Sequence, residues 1–188
     1  GEMNEVEMIE KAETDVDAME KLLLQYKPLV NSIARKYFLL NGDMDDLVQE
    51  GMIGLYKAIS TYSADKNASF KTFASICITR KIQTKVKKEN TAKNKAFMQV
   101  LELTEQNDIP NDKENPEYNL IKKETYKQMQ KCIEEHLSPF EKKVLNLYLA
   151  GKDYASIANE LETGVKSVDN ALTRVRIKLS QFLDDIKD

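Results

Sequence analysis

The sequence predicts an all-α protein: two small helical domains joined by a flexible acidic linker, the C-terminal one a helix-turn-helix. Three observations point there. Apolar residues recur every three or four positions through the longer segments, and none of these segments alternates with the period of a strand. Helix breakers are few, with four prolines and six glycines among 188 residues. A polar stretch, Gln106 to Glu117, holds Asn, Asp and Pro without apolar periodicity and separates two helical patterns. Expected boundaries are 15–100 for the first domain, 101–119 for the linker and 120–184 for the second.

Charge is segregated rather than abundant. The formal net charge of −3 carries no general signal for nucleic acid, so any such role must rest on local charge. The first twenty residues have Lys11 as their only cation, and the segment Glu102 to Glu117 is acidic. Between Arg80 and Lys95, by contrast, Arg80, Lys81, Lys85, Lys87, Lys88, Lys93 and Lys95 face the single acid Glu89. Cys77 and Cys132 belong to no CxxC pair, so neither a disulfide framework nor a metal site is expected, and a reducing cytoplasm fits. No apolar run approaches a membrane span and no signal-peptide pattern is present. Gly1 and Glu2, ahead of Met3, read as a tag remnant.

The first informative helix runs from Asp45 to Ile59. Val48, Met52, Leu55 and Ile59 form its expected core stripe. Leu47, Gly51, Gly54 and Ala58 form a small-residue groove for a neighbouring helix; each helical glycine costs about 1 kcal/mol against alanine, which implies a packing reason. The remaining face holds Asp46, Gln49, Glu50 and Ile53. An apolar residue ringed by acids and an amide suits a protein interface, and a solvated acidic face is the alternative.

The next helix, Ser69 to Lys88, should bury Ala74, Ile78, Ile82 and Val86. Halfway around lie Phe73, Ile76, Arg80, Gln83 and Lys87. An aromatic followed along one face by cations and an amide suits single-stranded DNA, with a base on the ring and cations along the backbone. Spacing alone equally allows Phe73 to pack inward over a merely solvated cationic face.

After the linker, Ser138, Pro139 and Glu141 make a strong helix start: a cap, a proline at the first position and a capping box. Gly151 stops that helix with a left-handed cap, and Asp153 starts a short one bearing Ile157, Ala158 and Leu161. The turn Glu162-Thr163-Gly164 leads to a last helix burying Val168, Leu172, Val175, Leu179 and Phe182. Its leading face carries Lys166, Ser167, Asn170, Thr173 and Arg174, as a helix entering the major groove requires. Asn170 suits an adenine edge and Lys166 a guanine or phosphate, whereas Arg174, Arg176 and Lys178 are placed for phosphates.

Together these residues resemble the sigma-70 family of bacterial RNA polymerase sigma factors, over nearly the whole chain. Asp46-Leu47-Val48-Gln49-Glu50-Gly51-Met52-Ile53-Gly54-Leu55 is similar to the core-binding segment, region 2.2. Ser69 to Lys88 resembles regions 2.3 and 2.4, and Leu137 to Leu183 resembles region 4. Region 4 alone is unspecific, because response regulators end in a similar Ser-Pro-x-Glu helix-turn-helix. Ile76-Cys77-Ile78-Thr79-Arg80 and Ser167-Val168-Asp169-Asn170-Ala171-Leu172 suggest an alternative member of the sigma-H type.

The resemblance implies partners and roles. Asp46, Gln49, Glu50 and Ile53 would dock on RNA polymerase core enzyme. Phe73, Ile76, Arg80, Gln83 and Lys87 would engage the promoter minus-10 element as single-stranded DNA. Lys166, Ser167, Asn170, Thr173, Arg174 and Arg176 would meet the duplex minus-35 element. It also allows an anti-sigma factor as partner, and implies no membrane, no cofactor and no catalytic residue. Housekeeping members carry a tryptophan pair where this chain has Ile76 and Cys77, so strand separation should be harder and promoter choice stricter. Neither a region 3 nor a long N-terminal autoinhibitory region is recognisable.

Two other functions fit less well. A stand-alone helix-turn-helix regulator would need an N-terminal sensor, usually an α/β receiver, and no strand alternation is present. A metal-dependent nuclease using Asp43, Asp45, Asp46, Glu50 and His136 lacks a phosphate-cradling glycine loop, and its histidine lies beyond the linker.

Overall fold

In the computed structural model, residues 4–40, 43–65, 68–88, 98 and 116–185 are described. Every regular element among them is a helix, and the chain divides into two compact units. Unit 1 combines Gly1–Ala34 with Gly42–Lys88, and unit 2 combines Arg35–Asn41 with Glu89–Asp188. Residues 101–115 of the expected linker, like Lys93 and Lys95 of the basic run, lie outside the described residues.

Unit 1 contains α1 (Glu5–Ala12), all but the last residue of α2 (Val16–Arg35), α3 (Met44–Thr61) and α4 (Phe70–Lys88). Helix α1 starts ahead of residue 15. Its signal is a capping box: Asn4 Oδ1 accepts from the Val6 backbone, 3.1 Å, and Glu7 accepts from the Asn4 backbone, 3.3 Å. Asp43 caps α3 in the same manner, accepting from the Asp45 N–H at 2.9 Å.

Helices α3 and α4 run in opposite directions where they cross. Gly51 faces Ile82, and Gly54 faces the backbone of Cys77 and Ile78. A Cβ on Gly54 would lie 2.9 Å from the Cys77 carbonyl oxygen and 3.0 Å from Ile78 Cα. This approach rotates α3 relative to the expected core stripe. The small-residue groove is itself the buried face, with Leu47, Gly51, Gly54 and Ala58 joined by Leu55 and Ile59. Val48 and Met52 remain half-buried. The stripe on α4 is as its period of four requires: Ala74, Ile78, Ile82 and Val86 are all buried.

Unit 2 contains α5 (Pro116–His136), α6 (Pro139–Leu149), α7 (Tyr154–Glu160) and α8 (Val165–Asp185). Ser138 and Glu141 close the expected capping box on α6, at 3.1 and 3.0 Å, and Gly151 ends that helix region at φ 94°. Asp153 Oδ1 accepts from the Ser156 N–H, 2.7 Å, and starts α7. In the turn that follows, the left-handed residue is Glu162, at φ 53°, so Gly164 is not the position that demands glycine. Helix α8 buries Val168, Ala171, Leu172, Val175 and Leu179 against α6 and α7. Its last buried residue is Leu183; Phe182 is half-buried, because after Leu179 the next inward position on a 3.6-residue helix falls four along.

Candidate protein- and nucleic-acid-binding surfaces

The acidic face of α3 begins at a helix N-terminus, where Asp45 and Asp46 sit favourably against the positive end of the helix dipole. Asp46 and Gln49 are exposed and Glu50 is half-buried, one turn apart on one side of the helix. Ile53 follows with 52% of its surface open. Tyr56, 53% exposed, extends the same face. Sequence reasoning passed over Tyr56, although its position three residues after Ile53 places the two side chains together on a helix. An exposed Ile–Tyr pair bordered by Asp, Gln and Glu has the composition of a binding surface with an apolar centre. Lys81 of α4 reaches within 3.9 Å of Glu50, a loose pair between partly exposed groups.

On α4, Arg80 and Lys87 are exposed, while Phe73, Ile76 and Gln83 are half-buried, all away from the buried stripe. Phe73 is neither free nor swallowed by the core. Its ring lies 5.6 Å from that of Tyr62, tilted by 45°. Tyr62 packs edge-on against Phe70 at 5.3 Å, and Phe70 meets Tyr26 at 5.0 Å. The Tyr62 hydroxyl donates to the Ala68 carbonyl, 3.0 Å, which fixes the ring beside Phe73. Tyr62 was not identifiable from periodicity, because it sits past the end of α3 and only the fold carries it to α4. The half-buried Phe73 ring, packed beside Tyr62, is followed along α4 by Arg80, Gln83 and Lys87, an aromatic-then-cation order of the kind that suits single-stranded nucleic acid.

The third surface is the outer side of α8. Lys166, Ser167, Asn170, Thr173, Arg174 and Arg176 are all exposed there. Thr173 donates its hydroxyl proton to the Asp169 carbonyl, 2.9 Å, and Lys166 lies 3.9 Å from Asp169. Arg174 is tied more firmly: its Nε donates to Glu141 Oε2, 2.9 Å. Lys178 donates to Glu141 Oε1, 2.6 Å, and to the His136 carbonyl, 3.0 Å. The Glu141 side chain is only 3% exposed.

Burial pushes the Glu141 carboxyl pKa up, but hydrogen bonds from Lys178, the Ser138 backbone and Arg174, with the charge of Lys178, bring it down to about 2. A carboxyl lowered from 4.5 to about 2 contributes stability that is fully present above the higher value and lost as pH falls through the lower one. We expect an acid titration followed by circular dichroism to remove about 3 kcal/mol across that window. The Glu141→Gln variant should lack this component; superimposable acid profiles would show that the pairing adds no stability.

Residues 22–91 match the family model described as Sigma-70 region 2. The chain is 40% identical over 196 residues to the RNA polymerase sigma-H factor of Bacillus subtilis (strain 168), covering 97% of this chain and 90% of that protein. It is 41% identical over 182 residues to the RNA polymerase sigma-H factor of Bacillus licheniformis, covering 90% and 82% respectively. The crystal structure of the RNA polymerase sigma-H factor from Fusobacterium nucleatum is 32% identical, covering 76% of this chain and 97% of its own, at a TM-score of 0.35.

Proposed function

Since the chain belongs to the sigma-70 family of RNA polymerase sigma factors, as an alternative member of the sigma-H type, we propose that it binds polymerase core enzyme and directs transcription initiation at a particular set of promoters. Residues 15–100 act as region 2 and residues 120–184 as region 4, with 101–119 between them. Two weak DNA contacts held on one polymerase then reinforce each other through effective concentration.

The observation that carries this reading is the tight α3–α4 pair, which brings an acidic, apolar-centred face and an aromatic-basic face onto one compact unit. Asp46, Gln49, Glu50 and Ile53, extended by Tyr56, dock on the core enzyme. Phe73, backed by Tyr62, takes an unstacked minus-10 base, with Ile76, Arg80, Gln83 and Lys87 beside it. Lys166, Ser167, Asn170 and Thr173 face the minus-35 bases, and Arg174 and Arg176 border the phosphates. The chain works by binding alone, with polymerase supplying the chemistry, and it works in the bacterial cytoplasm. Among the described residues no helix is long and apolar enough to cross a membrane.

In vitro transcription with purified core enzyme on a library of genomic promoters tests the proposal. Stoichiometric association with core and initiation at a distinct promoter subset are the expected results; failure to associate would end it. Asn170→Ala should loosen minus-35 preference by about 1–3 kcal/mol, the worth of one bidentate base contact. A run-off profile identical to wild type would remove Asn170 from the reader.

A further inference from the structure

Helix α8 carries four cations along its length, Lys166, Arg174, Arg176 and Lys178, and two of them converge on one carboxylate. Glu141 reaches them from the first turn of α6, with its side chain 3% exposed and both of its oxygens engaged. Hydrogen bonds from an arginine, a lysine and a backbone N–H, two on Oε1 and one on Oε2, hold this buried carboxylate in place. Arg174 and Lys178 remain partly open, at 51% and 35% of their side-chain surfaces, so they stand at the surface while answering to a charge beneath it.

We propose that Glu141 is a positioning residue that sets the grip of region 4 on DNA: its one negative charge cancels one of the two cations above it and holds both in place, so that α8 reads bases with a weakened hold on phosphate. The inference rests on α8 being the DNA-facing helix. The physical consequence is discrimination. Phosphate contacts attract any duplex equally and carry no sequence information, so cancelling one lowers binding to every wrong site while the base contacts of Lys166 and Asn170 are untouched. A specificity subunit that gripped duplex DNA strongly by itself would be titrated by the genome before it met polymerase. The same carboxylate closes the capping box that starts α6, so the rotation of the reading helix and the start of its scaffold helix are set by one group.

The salt dependence of the full chain binding to duplex DNA without promoter sequence tests this. Each added phosphate contact steepens the log–log salt slope by about 0.9, equivalent to ~3.5-fold more affinity lost between 50 and 200 mM salt. Glu141→Gln, which preserves the capping-box geometry, should bind such DNA more tightly at low salt and show that steeper slope. Adding Lys178→Gln to it should restore the wild-type slope. A merely structural role for Glu141 would lower thermal stability and leave the slope alone, and that result overturns the proposal.

A second measurement needs no variant. In the complex with core polymerase, lysine acylation read by mass spectrometry with and without promoter DNA should show Lys166 protected by DNA and the slow labelling of Lys178 unchanged. Protection of Lys178 equal to that of Lys166 would refute the proposal while sustaining α8 as the reader. If DNA protects neither lysine and Asn170→Ala leaves minus-35 preference intact, the DNA-facing assignment itself fails and takes this inference with it.

Discussion

Gly54→Ala is expected to destabilise unit 1 by up to about 2 kcal/mol, although alanine is the better helix former. Intrinsic propensity alone would favour the substitution by about 1 kcal/mol. Overpacking opposes it with about 1–3 kcal/mol, and here the obstruction is main chain: the added Cβ would meet the Cys77 carbonyl oxygen at 2.9 Å and Ile78 Cα at 3.0 Å. A backbone cannot rotate out of the way, so α3 and α4 must separate or tilt. Gly51→Ala is the informative control. Its Cβ would meet side chains, Val30 Cγ1 at 2.6 Å and Ile82 Cδ1 at 3.2 Å, which can shift, so its loss should be smaller. Chemical denaturation of both variants measures the difference. Equal stability of Gly54→Ala and wild type would mean that the close crossing is not required. Because the proposed docking and minus-10 faces sit on the two crossing helices, Gly54→Ala should also weaken both core binding and promoter opening.

Glu50→Lys should weaken binding to core polymerase at least tenfold, a loss of about 1.4 kcal/mol or more, with the fold intact. Glu50 is half-buried beside exposed Gln49 and one turn from Ile53, so reversing its charge puts a cation at the edge of the apolar centre of the face. Any cationic complement on the partner would then meet like charge, which costs far more than losing an attraction. The change also sets the new lysine near Lys81, now 3.9 Å from Glu50. That pair is loose and partly exposed, so its loss should matter little to stability. Glu50→Gln separates the two effects: it removes the charge without reversing it and should lose less affinity. Pull-down with core enzyme and circular dichroism give the readout. Undiminished affinity of Glu50→Lys would move the docking surface elsewhere.

The readable parts of this protein were those governed by neighbours in sequence. The capping box at Ser138 and Glu141 and the left-handed cap at Gly151 lie within a turn or two of chain and came through intact. So did the buried stripe of α4, because a repeat of four apolar residues leaves one way to face a core. The capping box of Asn4 and Glu7 was equally local; the acidity of the segment around it obscured a signal that was present. Less was readable wherever two helices had to agree. On α3, two stripes competed for the core, the larger side chains and the glycines, and hydrophobicity favours the larger ones. The glycines won because the close approach of α4 buries a helix backbone, a gain that no single-helix pattern contains.

The amino-acid sequence by itself determined the helical class, the separation of acidic from basic segments, the buried stripe of α4 and the exposed face of α8, since periodicity and charge order are properties of one strand of chain. Only the tertiary structure decided which stripe of α3 is core, that Tyr62 stands behind Phe73, and that Arg174 and Lys178 share Glu141. Those facts join residues eleven to thirty-seven positions apart, beyond the reach of any helical repeat. Side chains at such distances meet only when packing brings their helices together, and it is packing that chooses among the pairings the sequence leaves open.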